Sequence, residues 1–221
     1  MMTVRHGREW KRMIKIELLD VTGFVPAIHG MRNPKNSWDK SDSFIYDSEI
    51  GCKDLQLATA LASAGAVHGK FRRMIQVYMD ITAPLYWWKE FDTYKVGTVA
   101  NSCSTMHKIA AKEFTMDDFS HEHLELDFNT VLLENIIHCL NVNRDQFNKT
   151  KDKTYWWHMI QLLPSSYNQK RTVMLNYETI SQICFYRKDH KLDEWREFVS
   201  FCQKELPYPE LFLTGVFPAN G

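Results

Sequence analysis

The chain has 221 residues, and its 27 Lys and Arg are balanced by 27 Asp and Glu, so its formal net charge at pH 7 is zero. A balanced charge provides no overall field to attract a nucleic-acid polymer or an anionic membrane surface. No run approaches the roughly 18 apolar residues of a membrane span, and residues 1–15 lack the apolar centre of a secretory signal, so we expect a cytoplasmic protein.

The cysteines do not form a pattern typical of a disulfide framework or a zinc site. The five cysteines are Cys52, Cys103, Cys139, Cys184 and Cys202. Their number is odd, they are widely spaced, and no two of them form a C-x-x-C pair. We therefore expect reduced thiols. A chain of this length can bury most of its apolar surface in one core, which predicts a single domain over residues 1–221.

The N-terminal half is predicted to contain two strands and two helices. Alternation of apolar and polar residues predicts strands over Met13–Val21 and Phe71–Thr82. A helix is expected over Asp54–Ala64, and another from Leu85 to Tyr94 after a proline that suits a first helical turn. The polar segment 30–51 is predicted to be a loop or short helices.

The C-terminal half is predicted to be mainly helical. Apolar periodicity indicates four helices and one short strand: helices over Leu124–Leu140, Thr154–Leu163, Glu178–Arg187 and Leu192–Leu206, and a strand over Arg171–Tyr177. Residues 207–221 are expected to form a tail that docks or drapes on a neighbour. Strands mixed with longer helices favour an α+β fold.

The segment YWWKEFDTYKVGTVANSCSTMHKIAAKEF, residues 86–114, concentrates aromatic and short polar side chains. Ser, Thr and Asn are poor residues for a helix interior unless they cap the helix or contact another group. Two interpretations stay open: a new helix capped by Asn101 or Ser102, and contacts from these side chains to a ligand. Four aromatic rings of this segment are expected either to stack on a flat ligand or to belong to the core. They are those of Tyr86, Trp87, Trp88 and Tyr94.

Other candidate sites are weaker. His121 and His123 lie two residues apart and do not share a helical face, so we expect no metal site there. Cys103 and His107 have the i, i+4 spacing of a thiolate pair on a helix, but packing explains this spacing more simply. No phosphate-binding glycine loop and no nucleophile-elbow motif occur in the sequence.

Several segments, taken in order, resemble the motifs of one enzyme family. They are IELLDVTG (16–23), VHGKFRRMIQVYMDI (67–81), NSCSTMH (101–107), LLP (162–164) and NYETISQICFYR (176–187). Their order and spacing resemble those of the flavin-dependent thymidylate synthases, which use FAD and methylenetetrahydrofolate to methylate deoxyuridylate. The resemblance covers most of the chain except roughly residues 30–50 and 115–155.

This resemblance implies a fold, a cofactor and a set of site residues. The fold would be that of the thymidylate synthase-complementing proteins, an antiparallel or mixed sheet with packed helices, assembled as a homotetramer. The ligands would be FAD and a pyrimidine nucleotide such as dUMP, with NADPH and methylenetetrahydrofolate as co-substrates. The resemblance implies cofactor contacts by His68, Tyr94, Lys95, Asn101 and Gln182, and substrate contacts by Ser104, His107 and Arg187. Arg187 would also be catalytic, favouring negative charge that develops on the pyrimidine ring. A cation stabilising the end of a helix is the other interpretation of Arg187.

The sequence also departs from the family pattern, chiefly by losing arginines. Where the family has Arg-His-Arg this chain has Tyr94, Lys95 and Val96, and three further family arginines correspond to Met106, Ile160 and Glu178. Apolar side chains cannot replace the bidentate contact of Arg with a phosphate. Nearby cations are Lys95, Lys108, Lys170 and Arg171. Three hypotheses therefore stay open: thymidylate synthesis, one-carbon transfer to a different pyrimidine such as hydroxymethylation, and a non-enzymatic oligomeric protein that keeps the fold.

Overall fold

A four-stranded antiparallel sheet with the order β1-β2-β4-β3 organises the fold. The computed structural model describes residues 13–44 and 49–214. The strands are β1 (Lys15–Thr22), β2 (Gln76–Pro84), β3 (Thr98–Ser102) and β4 (Asn168–Asn176). The predicted α+β fold with an antiparallel sheet is confirmed.

Nine α-helices surround the sheet within the described residues. They are α1 (Phe24–Arg32), α2 (Cys52–Ser63), α3 (Leu85–Phe91), α4 (Thr105–Lys108), α5 (Asp127–Thr150), α6 (Lys153–Leu162), α7 (Tyr177–Arg187), α8 (Asp193–Glu205) and α9 (Glu210–Leu213). Short 3-10 helices lie at Asn33–Lys35, Trp38–Lys40, Gly69–Met74 and Met116–Asp118. Within the described ranges, no helix is both long and apolar enough to cross a bilayer.

Strand β2 shows how the sequence pattern places the main core. Val77, Met79, Ile81 and Ala83 are fully buried, and the residues between them are half-buried. Because successive strand side chains point to opposite faces, this alternation turns one face of the sheet toward the helices. Side chains of α1, α2, α3, α7 and α8 complete this core.

A second, smaller core lies beneath the hairpin of α5 and α6. Leu140 and Met159 are completely buried there against Phe119, which belongs to the segment before α5. Helices α5 and α6 thus pack in the smaller core, whereas the helices that cover the sheet pack in the main core. This arrangement leaves the outer face of α5 open to solvent.

Several predicted boundaries differ from the structure. The strand expected from Phe71 begins only at Gln76, because the buried Arg72 donates from Nε to the Gly69 carbonyl at 3.1 Å and holds residues 69–74 in a 3-10 helix. The helix expected to reach Tyr94 ends at Phe91. Helix α1 was not predicted, and α5 continues to Thr150.

The predicted cap at Asn101 or Ser102 is wrong. Both residues lie in β3, where Asn101 is opposite Thr172 of β4. The cap of the following helix is Ser104, whose hydroxyl accepts the His107 backbone N–H at 3.2 Å. The backbone of 98–102 gains sheet hydrogen bonds that a loop could not supply.

The described part of the C-terminal tail docks on α7. Leu211 and Phe212 are buried, and the Ser181 hydroxyl donates to the Phe212 carbonyl at 2.5 Å. The Arg72 guanidinium also donates to the Leu211 carbonyl at 3.4 Å. Residues 215–221 of the predicted tail lie outside the described residues.

Candidate functional site

Five of the eight predicted site residues form two groups, one at each end of β3. Tyr94 lies at the start, where its carbonyl accepts the Thr98 hydroxyl, and it contacts Arg187. Ser104 and His107 lie at the other end, on α4. Five strand residues at about 3.3 Å each separate the two ends by roughly 17 Å. The fold therefore does not gather all the predicted residues into one pocket of one subunit.

Arg187, the last residue of α7, is held by side chains from α3 and α8 and by Tyr94. Its Nε donates to the Tyr94 hydroxyl at 3.0 Å, and its Nη1 donates to Glu90 Oε2 at 3.0 Å. The guanidinium carbon lies 5.0 Å from the centroid of the Trp195 ring, within cation–π range. Arg187 thus has a fixed orientation on a half-buried aromatic surface.

Glu90 is the centre of this group of side chains. In addition to Arg187, its Oε2 accepts the Trp195 indole N–H at 2.9 Å and lies 3.4 Å from His190 Nε2. The His190 Nδ1 accepts the Leu192 backbone N–H at 3.2 Å. Because Nδ1 accepts, the hydrogen of a neutral imidazole is on Nε2, the nitrogen that lies 3.4 Å from Glu90 Oε2.

The loop after Tyr94 is fastened to the start of α7. The Thr179 hydroxyl donates to the Val96 carbonyl at 3.1 Å, and Asn176 caps α7 by accepting the Thr179 backbone N–H at 2.9 Å. Gly97 has a φ of 75°, and a Cβ there would lie 2.1 Å from the Asn176 amide nitrogen. Glycine is therefore required where this loop crosses the start of α7. The Lys95 side chain of the same loop is exposed.

A carboxylate stands where the resemblance implies an arginine. Glu178 is buried in the first turn of α7 and forms an ion pair with Arg73. The hydrogen bond to Glu178 raises the pKa of the Arg73 guanidinium. This ion pair neutralises the carboxylate, so the start of α7 does not carry an uncompensated negative charge.

A cleft of 480 Å³ lies between α4 and the beginning of β4, at the Ser104 end of β3. This volume is in the range of small-molecule sites. Its lysines are Lys108, Lys112 and Lys170. Lys112 pairs with Asp118 and Lys170 with Asp80, whereas Lys108 has no ion pair among the described residues.

The ion pair at the edge of the cleft also affects titration. The hydrogen bond between Asp80 and Lys170 lowers the pKa of the Asp80 carboxyl and raises the pKa of the Lys170 amine. Arg171, another predicted cation, lies with its guanidinium 4.3 Å from the Trp88 ring centroid and donates to Asp92 at 2.8 Å. Lys108 is therefore the cleft lysine whose amine, unpaired among the described residues, can bind an anionic group of a ligand.

Three other predicted residues occupy different parts of the surface. His68 is exposed just before the 3-10 helix at 69–74, Asn101 is exposed on β3, and Gln182 is half-buried in α7. Across residues 13–44 and 49–214, no hydrogen bond or ring contact connects any of them to Arg187. Their predicted cofactor contacts stay predictions.

The aromatic residues of α3 are mainly core residues. Trp87 and Trp88 are fully buried, and Trp87 packs 4.7 Å from Trp195 between ring centroids. The Tyr86 hydroxyl donates to the buried Glu194, and burial raises the pKa of this phenol. Among these four rings, Tyr94 is the one that contacts Arg187 directly.

The two weaker candidate sites do not assemble. His121 Nδ1 lies 2.7 Å from the Phe119 carbonyl, whereas His123 Nε2 lies 3.3 Å from Asp193. In the part of the chain that the structure describes, no three His, Cys, Asp or Glu side chains are grouped to hold a metal ion. Cys103 and His107 are both exposed. Cys103 follows the end of β3 and does not lie on α4 with His107.

Sequence reasoning missed Glu90, His190 and Trp195. Glu90 and Trp195 lie within amphipathic helices, where a glutamate and a tryptophan have ordinary structural roles. Their sequence separation is 105 residues, and only tertiary packing brings the indole N–H to the carboxylate. The one available signal was the position of Glu90 four residues before Tyr94 in the aromatic segment.

Comparison with known proteins relates this geometry to solved structures. No protein-family model and no curated protein matches the sequence. Among solved structures, thymidylate synthase X (ThyX) from Helicobacter pylori, crystallised with FAD and dUMP, matches with a TM-score of 0.70 at 15% identity, covering 90% of this chain and 97% of that one. A second structure of the same enzyme, also with FAD and dUMP, matches with a TM-score of 0.68 at 14% identity, covering 90% of this chain and 98% of that one.

This chain has the fold of flavin-dependent thymidylate synthase. The UMP/dUMP methylase PolB from Streptomyces cacaoi, bound with 5-Br dUMP, matches with a TM-score of 0.61 at 14% identity, covering 91% of this chain and 94% of that one. The resemblance predicted from the order of short motifs is therefore confirmed for the fold. The fold shared with ThyX extends over most of this chain, since 90% of it is matched.

Proposed function

We propose that this protein is a divergent flavin-dependent thymidylate synthase-like enzyme that transfers a one-carbon unit, methyl or hydroxymethyl, to a pyrimidine deoxynucleotide. The observation that carries this proposal is the shared fold with ThyX crystallised with FAD and dUMP and with the dUMP methylase PolB. We place this activity in cytoplasmic nucleotide biosynthesis and in a single domain over residues 1–221.

The predicted cofactor residues carry groups that suit a flavin. The isoalloxazine ring presents hydrogen-bond donors and acceptors at its edge and a flat face. Tyr94 offers a half-buried ring, Asn101 and Gln182 offer amides, and Lys95 and His68 are exposed and can face the phosphates. When bound, FAD supplies the hydride chemistry of the reaction, and the protein supplies binding and orientation. NADPH and methylenetetrahydrofolate are the proposed reductant and one-carbon donor.

The nucleotide is proposed to use groups from both ends of β3. Ser104 caps α4 as a hydrogen-bond acceptor, so its hydroxyl hydrogen is available to a phosphate. Lys108 lines the same cleft and has no ion pair among the described residues, and His107 is exposed beside it. Arg187 would lie against the pyrimidine and stabilise negative charge as it develops on the ring.

We propose that these groups meet between subunits of a homotetramer. About 17 Å of strand β3 lies between the loop that carries Tyr94, the partner of Arg187, and the segment that carries Ser104, so we propose that one nucleotide is bound by Ser104 of one subunit and Arg187 of another. The outer face of α5 exposes Phe128, Val131 and Leu132 at 67%, 52% and 58%. Their i, i+3, i+4 spacing forms an apolar stripe, a feature typical of interaction surfaces. A second copy of this chain is the proposed occupant.

The proposal is tested in two steps with the purified full-length chain. Flavin binding is expected to give a yellow protein that absorbs at about 450 nm, either as purified or after titration with FAD. A protein that remains colourless after FAD titration would contradict the proposal. With flavin bound, dUMP-dependent product formation is then followed by mass spectrometry, where a gain of CH2 indicates methylation and a gain of CH2O indicates hydroxymethylation.

Two observations favour a second candidate, a nucleotide-binding protein without turnover. Arg187 is already paired with Glu90, and Glu178 occupies a position that carries an arginine in the family. Both reduce the positive charge available to a nucleotide and to a transition state. A protein that binds dUMP and FAD but forms no product with methylenetetrahydrofolate and NADPH would support this candidate.

A further inference from the structure

The side chains around Arg187 fix the direction of its guanidinium. A guanidinium has five N–H donors in a rigid plane. In this structure Nε–H is used by Tyr94 and one Nη1–H by Glu90. In the described parts of the chain, Nη2 has no hydrogen-bond partner, so the edge that carries Nη2 is open.

Glu90 is itself held in place, which distinguishes it from an ordinary surface partner of an arginine. The same oxygen that pairs with Arg187 accepts the N–H of Trp195, a fully buried residue, at 2.9 Å. His190 approaches this oxygen to 3.4 Å with an imidazole whose other nitrogen is occupied by a backbone N–H. A carboxylate with several fixed donors loses little entropy when it pairs with Arg187.

We propose that Glu90 is the positioning residue for Arg187: it holds the guanidinium against Trp195 so that the Nη2 edge is presented to the pyrimidine nucleotide. This inference rests on the proposed function, in which Arg187 contacts the substrate. Without Glu90, the side chain of Arg187 would lose the ion pair that it forms among the described residues and would sample other rotamers. Nucleotide binding would then have to order the Arg187 side chain, and the entropy lost would reduce the free energy of binding.

The test measures binding of dUMP by isothermal titration calorimetry to the full-length protein saturated with FAD. The variants are Glu90→Gln, Arg187→Ala and the double variant. Asp92→Asn is the matched control, because Asp92 lies two residues further along the chain and pairs with a different arginine, Arg171, at 2.8 Å. Loss of one charged hydrogen bond corresponds to about a tenfold weaker affinity.

We expect Glu90→Gln to weaken dUMP binding about tenfold and Asp92→Asn to leave it unchanged. In the Arg187→Ala background, Glu90→Gln should have no further effect, because positioning requires the residue that is positioned. A purely structural role would weaken binding equally in both backgrounds and would overturn the inference. Thermal unfolding of each variant is measured alongside to compare their folded states.

Other outcomes separate this inference from the proposed function. Wild-type affinity, or tighter binding, in Glu90→Gln would overturn the inference, and tighter binding would mean that Glu90 only neutralises Arg187. The proposed function would stand in both cases if the wild-type protein binds dUMP. Absence of dUMP binding by the FAD-saturated wild-type protein would instead refute the proposed function.

Discussion

Replacement of Asp54 tests how strongly the buried ion pair with Arg32 stabilises the fold. Asp54 is completely buried in α2, and Arg32, at the end of α1, is 5% exposed. Arg32 Nε donates to Asp54 Oδ1 at 2.6 Å. The other carboxylate oxygen accepts the Ser41 hydroxyl at 2.6 Å and the Ser43 backbone N–H at 3.0 Å. Asp54 thus joins α1, α2 and the segment between them.

Asp54→Ala is expected to lower the free energy of unfolding by about 3–5 kcal/mol, the usual cost of leaving one charge of a buried pair uncompensated. Hydrogen bonds from Arg32 to the Ser37 and Lys40 carbonyls, at 3.1 and 3.2 Å, remain but do not neutralise its charge. The expected loss is a large part of a typical total of about 5–15 kcal/mol.

Urea unfolding at pH 7, followed by tryptophan fluorescence, gives the free energy of unfolding from the midpoint and the slope. Asp145→Ala is the matched control, because Asp145 also pairs with an arginine, at 2.8 Å, but is 56% exposed. This exposed pair is expected to contribute no more than about 1 kcal/mol. The double variant Arg32→Met with Asp54→Leu should recover most of the loss, since it removes both charges and keeps an apolar volume.

Two results would refute this reasoning. One is an Asp54→Ala variant that loses no more stability than Asp145→Ala. The other is a double variant as unstable as Asp54→Ala alone, which would mean that the hydrogen bonds from Ser41 and Ser43, rather than the uncompensated Arg32 charge, account for the loss.

Four further predictions follow from the same structure. Burial raises the pKa of the Asp54 carboxyl, but its hydrogen bonds and its ion pair outweigh this effect and the pKa lies below its ordinary value. The stabilisation by Asp54 is therefore complete above the unfolded pKa of about 3.9 and is lost as pH falls through the folded value; the difference in urea midpoint between wild type and Asp54→Ala should shrink below about pH 4. Gly97→Ala should destabilise by more than about 1 kcal/mol in urea unfolding, whereas Gly65→Ala, with a similar φ but no atom within 4 Å of the new Cβ, should cost less; equal costs would contradict the role of the close contact. Leu132→Glu should shift the mass measured by light scattering toward the monomer, and an unchanged mass would exclude α5 as the subunit interface. Arg187→Ala should abolish dUMP-dependent product formation and leave far-UV circular dichroism unchanged, so unchanged turnover would remove the proposed catalytic role.

The elements with a strong period were predictable because their burial repeats in the sequence. Alternation identified β2, whose inward residues Val77 to Ala83 are fully buried. The helical period identified α8, in which Trp195, Phe198 and Cys202 face the core. Such patterns depend only on the geometry of one element against one apolar face. The order of short motifs, rather than any single motif, indicated the fold.

Elements whose conformation depends on contacts with distant segments were less predictable. Strand β3 is short, polar and mostly exposed, so no burial pattern marks it, and its pairing with β4 decides its conformation. The 3-10 helix at 69–74 depends on Arg72, whose buried guanidinium bonds to Gly69, Ser181 and Leu211. The sequence of that segment alternates well enough to predict a strand, but these contacts outweigh its propensity.

The sequence by itself determined the α+β class, the strand at the centre of the sheet, and Ser104 and Arg187 as the residues to examine. Only the tertiary structure decided that these two residues lie toward opposite ends of β3, and that Arg187 is held by Glu90 and Trp195. The reason is physical: periodicity records which face of an element is buried, whereas contacts across 97 and 105 residues depend on how separate elements pack.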